Sequence, residues 1–192
     1  MNRSVSARKH VYRLTLDAMF VALYVILGTF LSFKLPGAIQ ISFSTLPILL
    51  CAFLLHPLDA VAVAVGGNFL EQVLDPSPYG FATLLLWLIP GAVQALIAGF
   101  GSLQIEKKIK AEQKSTALLA TVLVLVCAEI ALTTLNTVTL YLDGALLGYS
   151  VKALHLLLPM RLLNLAVRTV LSCILVPLLL PPLRRVLAKI YR

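Results

Sequence analysis

Charge is scarce in this chain: only 12% of its 192 residues are Asp, Glu, Lys or Arg, with eight acids against 16 bases. Soluble domains carry roughly twice that share, so a surface that meets water all round is excluded. A mean hydropathy of +0.96 and a hydrophobic content of 60% indicate a chain dissolved in lipid. Cysteine is sparse too. Cys51, Cys127 and Cys173 lie singly inside apolar runs, which argues against a disulfide framework or a zinc site and leaves them as small core residues. Apolar–polar alternation is also missing. The run "TALLATVLVLVCAEIALTTL" (Thr116 to Leu135) is apolar on every side, which excludes a β-barrel strand pattern and points to helices.

Present instead are six apolar segments, at about 14–33, 45–56, 58–75, 81–101, 116–141 and 154–181. One crossing of a bilayer takes about 20 residues, so six crossings use nearly the whole chain and leave no separate soluble domain. The expected fold is all-α, a polytopic membrane protein with six transmembrane helices forming a single domain over residues 1–192. The second segment is short and ends at "HPLD" (His56 to Asp59), where Pro57 makes a natural break. A re-entrant or tilted short helix is the alternative there. The basic start, "MNRSVSARKHVYR", precedes an apolar run too long for a signal-peptide core and reads as the approach to the first span.

Lysine and arginine orient the chain, because cytoplasmic loops retain them. Arg3, Arg8, Lys9 and Arg13 precede the first span; Lys107, Lys108, Lys110 and Lys114 follow the fourth; Arg184, Arg185, Lys189 and Arg192 close the chain. Twelve of the 16 bases thus fall on one side, and both termini are expected in the cytoplasm. The opposite connections, "FKLPGAIQIS", "DPSPYG" and "DGALLGYSVK", hold only Lys34 and Lys152. Net charge of +8 then reads as anchoring to an anionic inner leaflet of the plasma membrane, not as nucleic-acid binding.

Ionisable side chains inside spans are costly and face the bundle interior or a wet cavity. The third span carries Asn68, Glu71 and Gln72 at spacings of three and four, on one face. The sixth carries Arg161, Asn164 and Arg168 in one stripe, and the fifth carries Glu129, Thr133 and Asn136. By depth, Asn68, Glu71, Gln72, Trp87, Asn136, Arg161 and Asn164 fall in the outer half and outline one polar cavity open to the outside. Arg161 offers a carboxylate-matched fork of donors; the amides add paired donors and acceptors, and Trp87 adds a flat apolar wall. The competing reading is helix glue: Glu71 and Glu129 balance Arg161 and Arg168 as ion pairs, Asn68 and Gln72 bond neighbouring helices, and Trp87 is a packing residue. His10, His56 and His155 share no ligand spacing and are assigned no role.

Ala18 and Ala22 in the first span, four apart, form a small-residue face where another helix can approach closely, within this chain or on a separate membrane protein. No GxxxxGK[ST], HExxH or GxSxG motif and no acidic metal cluster occurs, so no catalytic residue, metal ligand or cofactor is assigned, and the chain cannot hydrolyse ATP itself.

In these features the chain resembles the substrate-binding S components of energy-coupling factor (ECF) vitamin transporters. The carrying passages are Ala18-x-x-x-Ala22, "ISFSTLPILLCAFLLHPLDAVAVAVGGNFLEQ" and "TLYLDGALLGYSVKALHLLLPMRLLNL". The resemblance implies that the component captures a vitamin in an outward-facing pocket while a separate transmembrane scaffold and two ATPase subunits supply energy. It also implies that Ala18 and Ala22 dock on the scaffold and that the component topples to release its cargo. The nearest branches are those for folate and pantothenate, both carboxylate-bearing. The chain departs from them at "SPYGFAT" (Ser77 to Thr83) and at Gln94, where a basic residue is expected for pantothenate. Two other classes compete: an accessory or structural membrane protein with internally paired polar groups, and an intramembrane enzyme using Glu71 and Glu129 as acid or base.

Overall fold

The structure is a computed structural model, and it describes residues 2–35, 39–74, 83–110, 114–148, 155 and 157–190. Among the described residues six helices have both ends placed: α1 (Asn2–Phe30), α2 (Thr45–Leu54), α3 (Pro57–Leu74), α4 (Leu84–Lys110), α5 (Lys114–Leu147) and α6 (Leu158–Ile190). Between α1 and α2 lies an antiparallel hairpin of β1 (Ser32–Leu35) and β2 (Ile39–Ser42), in register from Ser32 opposite Ser42 to Leu35 opposite Ile39. Among the described residues four stretches are long and apolar enough to cross a membrane: His10–Phe30, Leu84–Lys107, Thr116–Leu147 and Leu158–Lys189. The expected helical membrane protein is therefore what folds, with the hairpin added where a loop was expected. Of the three connections expected on the outer side, residues 36–38, 75–82 and 149–154 lie outside the described residues, as does most of "SPYGFAT".

Short α2, only ten residues, is the core. Pro47 through Phe53 are buried on every side, and α1, α3, α4 and α6 all pack against α2. A buried helix end must find partners for its last carbonyls, and α2 finds them on other helices. Ser102 Oγ donates to Ala52 O at 2.8 Å from α4, and an Arg184 Nη donates to Phe53 O at 3.2 Å from α6.

The break at Pro57 is a capped start. Pro57 takes the first helical position, where no N–H is needed. His56 Nδ1 accepts from Leu58 N–H at 3.3 Å, and Asp59 reaches back to accept from His56 N–H at 3.1 Å, a reciprocal cap. Arg13 of α1 then forks onto Asp59 with two bonds of 2.7 Å, tying the start of α1 to this corner. Within α4, Pro90 deprives the Leu86 carbonyl of its helical donor; Thr139 Oγ1 of α5 lies 3.4 Å from that oxygen and substitutes for it.

Helices α1 and α3 meet through glycine. A Cβ on Gly67 would fall 2.6 Å from two atoms of the buried Tyr24 ring, whereas one on Gly66 would meet only Val21, at 3.5 Å. Gly67→Ala is expected to push α1 off α3 and to cost about 1–3 kcal/mol, the usual penalty for overpacking, while Gly66→Ala stays within about 0.5 kcal/mol. Thermal unfolding of both variants in detergent checks this, and equal midpoints would show the seam to be loose.

Candidate functional site: a polar chamber between the helices

The polar stripes of the separate helices converge. A cavity of about 400 Å³ is lined by Asn68, Glu71 and Gln72 of α3, Trp87, Gly91 and Gln94 of α4, and Leu132, Thr133 and Asn136 of α5. Leu157, Arg161, Asn164 and Arg168 line it from the last helix and its approach, Ser44, Thr45 and Ile48 from the start of α2, and Tyr24 from α1. All seven residues expected to contact substrate thus border one space, of a size that suits a small molecule. Close packing makes room for the polar groups: a Cβ on Gly91 would sit 2.7 Å from Asn68 Nδ2, so glycine lets the amide lie against α4.

Asn68 is held at both ends. Its Oδ1 accepts from the Tyr24 hydroxyl at 2.9 Å, and its Nδ2 donates to Ala64 O at 2.9 Å. Glu71 is turned toward α1, where its Oε1 would lie 2.8 Å from a Cβ on Gly28. Glu129 stands behind the wall, wholly buried. Its Oε2 accepts from Arg168 at 2.7 and 3.2 Å; its Oε1 accepts from the Ser172 hydroxyl at 3.0 Å and from Gln94 Nε2 at 3.2 Å. Of the two readings open for Glu129 and Arg168, the structure forms the ion pair, at 2.7 Å.

Arg161 is treated differently. Its guanidinium reaches the Thr137 hydroxyl at 3.4 Å, and among the described residues no carboxylate pairs with it.

Bonds between helices set the levels of this chamber. Arg161 meets Thr137 and Arg168 meets Glu129, so α5 and α6 run antiparallel with Asn136 level with Arg161. Thr139 meets Leu86 and Gln94 meets Glu129, which places Trp87 at that same level. One layer therefore holds Trp87, Asn136 and Arg161, and the other holds Gln94, Glu129 and Arg168. On each of the three helices the layers are seven residues apart, two turns, or about 10 Å of rise.

The sequence reading missed Tyr24, Ser44, Thr45, Gly91 and Gln94 as lining residues. Gln94 carried a signal, an amide inside an apolar run seven residues after Trp87. Tyr24 carried none, since a lone tyrosine in a span is usual. Outside the chamber, Ala18 and Ala22 are both exposed on α1. His56 serves as the α3 cap already described, and the His155 ring meets Tyr141 edge-on with centroids 5.8 Å apart. The free cysteines form no pair, and no cluster of metal-ligating side chains exists among the described residues.

Fold and chamber define a class: a polytopic helical membrane protein built around a polar, solute-sized space. The sequence profile of one family, described as "ECF transporter, substrate-specific component", matches residues 12–180. The chain belongs to that family. It is accordingly a membrane-embedded transporter subunit for a small-molecule substrate, with an ECF scaffold and ATPase subunits as its partners and the plasma membrane as its implied site. Among curated proteins no match to the chain is found.

Proposed function

We propose that the chain captures a small water-soluble vitamin bearing a carboxylate, with folate and pantothenate as the leading candidates. The supporting observation is Arg161, a cavity-lining cation with no protein carboxylate as partner among the described residues. A cation in a lipid-embedded site is costly without a counter-charge, and a ligand carboxylate supplies one in fork geometry. Its neighbour two turns away, Arg168, already has Glu129 and is assigned a structural role.

Six crossings with both termini in the cytoplasm would open the Arg161 layer to the outside. Residues 1–192 then act as one transmembrane domain, in which Asn68, Glu71, Gln72, Trp87, Asn136 and Asn164 complete the contact set. Ala18 and Ala22 dock on the scaffold from the exposed side of α1.

A thermal-shift screen of the purified chain against the water-soluble vitamins tests this reading. A ligand at 100 times its Kd stabilises the native state by about 2.7 kcal/mol, so a carboxylate vitamin should raise the unfolding midpoint by several degrees. Should every carboxylate vitamin leave the midpoint unmoved, the proposal fails.

A further inference from the structure

Gln94 is wholly buried in the cavity wall, and its two amide ends are treated unequally. Nε2 donates to Glu129 Oε1 at 3.2 Å, while Oε1 has no donor from the chain. The orientation is dictated by chemistry. Glu129 receives an arginine fork and a hydroxyl besides the amide, so both of its oxygens act as acceptors, and it must face the NH2 end of Gln94. The carbonyl end is thereby left pointing elsewhere, a buried acceptor of a kind that native structures seldom leave unmatched.

We infer that Gln94 Oε1 reads a hydrogen-bond donor on the bound molecule, an N–H or O–H group about two helical turns, roughly 10 Å, from the carboxylate held by Arg161. The inference rests on the carboxylate reading of Arg161 and narrows it. The substrate class is an elongated molecule with an anion at one end and a neutral donor at the other. An equally long fatty acid, which ends in methyl, leaves the Gln94 carbonyl buried without a partner and is rejected for that reason. Glu129 is a positioning residue, since it touches Gln94 and fixes which end of the amide is left without a donor from the chain.

Titration calorimetry of the full chain in detergent, with pantothenate and with folate as probes, tests the assignment. Arg161→Ala should abolish binding of the probe that wild type accepts. Gln94→Met, close in length but without an acceptor, should weaken it by about ten- to a hundredfold, and the loss of the Nε2 bond to Glu129 should lower the unfolding midpoint of the empty protein by a few degrees without abolishing the fold. The same probe with its donors blocked one at a time, by N-methylation or deoxygenation, should include one form that binds wild type at least tenfold more weakly. That form should lose nothing further in Gln94→Met, and Glu129→Gln, which frees the amide to turn, should narrow the same discrimination.

If Gln94→Met and every blocked probe bind as well as their parents while Arg161→Ala does not, the donor assignment is wrong and the carboxylate reading stands. If wild type binds neither vitamin, both fall. Should Gln94→Met not yield folded protein, the blocked-probe series in wild type decides alone.

Discussion

Replacing Arg161 with alanine is expected to raise the Kd for a carboxylate-bearing vitamin by a hundredfold or more and to leave the fold intact. Truncating one member of a buried, hydrogen-bonded charge pair costs about 2–5 kcal/mol in binding, and 2.7 kcal/mol already corresponds to about a hundredfold. The fold should survive because Arg161 satisfies so little of the protein: one threonine hydroxyl at 3.4 Å and no acid among the described residues. Arg161→Lys keeps the charge but loses the planar fork, so a smaller loss is expected. Amidation of the ligand's carboxylate should mimic the alanine variant in wild type and have little effect in the variant itself. Equal affinity of wild type and Arg161→Ala for the vitamin, measured by calorimetry, would remove Arg161 from the site.

Arg168 is the contrasting case on the same helix face. Losing Glu129 would strand Arg168, Ser172 and the Gln94 amide together, and removing one partner of a buried ion pair typically costs about 3–5 kcal/mol. The two arginines of this helix face are thus told apart by their partners: Arg168 has a buried carboxylate, and Arg161 has none among the described residues.

Much of this chamber was legible in the sequence because lipid makes polar residues conspicuous. An Asn, Glu or Arg inside an apolar run stands out, and spacings of three, four and seven sort such residues onto one face before any packing is known. That logic brought Asn68, Glu71, Gln72, Asn136, Arg161 and Asn164 together correctly around one space, with Trp87 beside them. Depth put Arg161 among the expected contacts and left Arg168 out, but both lie on the stripe, and only the position of Glu129 across from α6 decides that Arg168 is the paired one. Nor could it find the β1–β2 hairpin, whose strands of four residues each are too short for alternation to register.

Helix ends were misread for a related reason. Apolarity expected the fourth segment to stop near 101, yet α4 continues to Lys110, and α6 runs on to Ile190 through Arg184, Arg185 and Lys189. Hydropathy follows the lipid, whereas the backbone keeps its helical bonds beyond it through residues such as Glu, Gln, Lys and Arg, which are good helix formers. The end of α2 shows the opposite: its last carbonyls depend on Ser102 and Arg184, about 50 and 131 residues away, a dependence no local pattern carries.

Bulky substitution on the exposed side of α1 is expected to abolish uptake while sparing ligand binding. Ala18 and Ala22 sit one turn apart on that side, flanked by the exposed side chains of Leu14, Met19, Leu23 and Ile26, so they form a shallow groove between larger neighbours. Association of helices in lipid is driven by van der Waals contact over small residues, because burying apolar surface from lipid gains little. A tryptophan at Ala18 or Ala22 fills the groove and holds a partner helix several ångströms away, which forfeits most of that contact. The chamber lies on the other side of α1, where Tyr24 enters the core, so vitamin affinity should stay within about twofold of wild type. Cells expressing the scaffold, the ATPases and either variant should then take up less than a tenth of the wild-type amount of vitamin, and the variant should fail to co-purify with the scaffold. Leu178→Trp, on an exposed position of α6, controls for bulk alone and should transport normally. Normal transport by Ala18→Trp and Ala22→Trp would move the docking surface off α1, and equal loss in Leu178→Trp would trace the defect to insertion rather than docking.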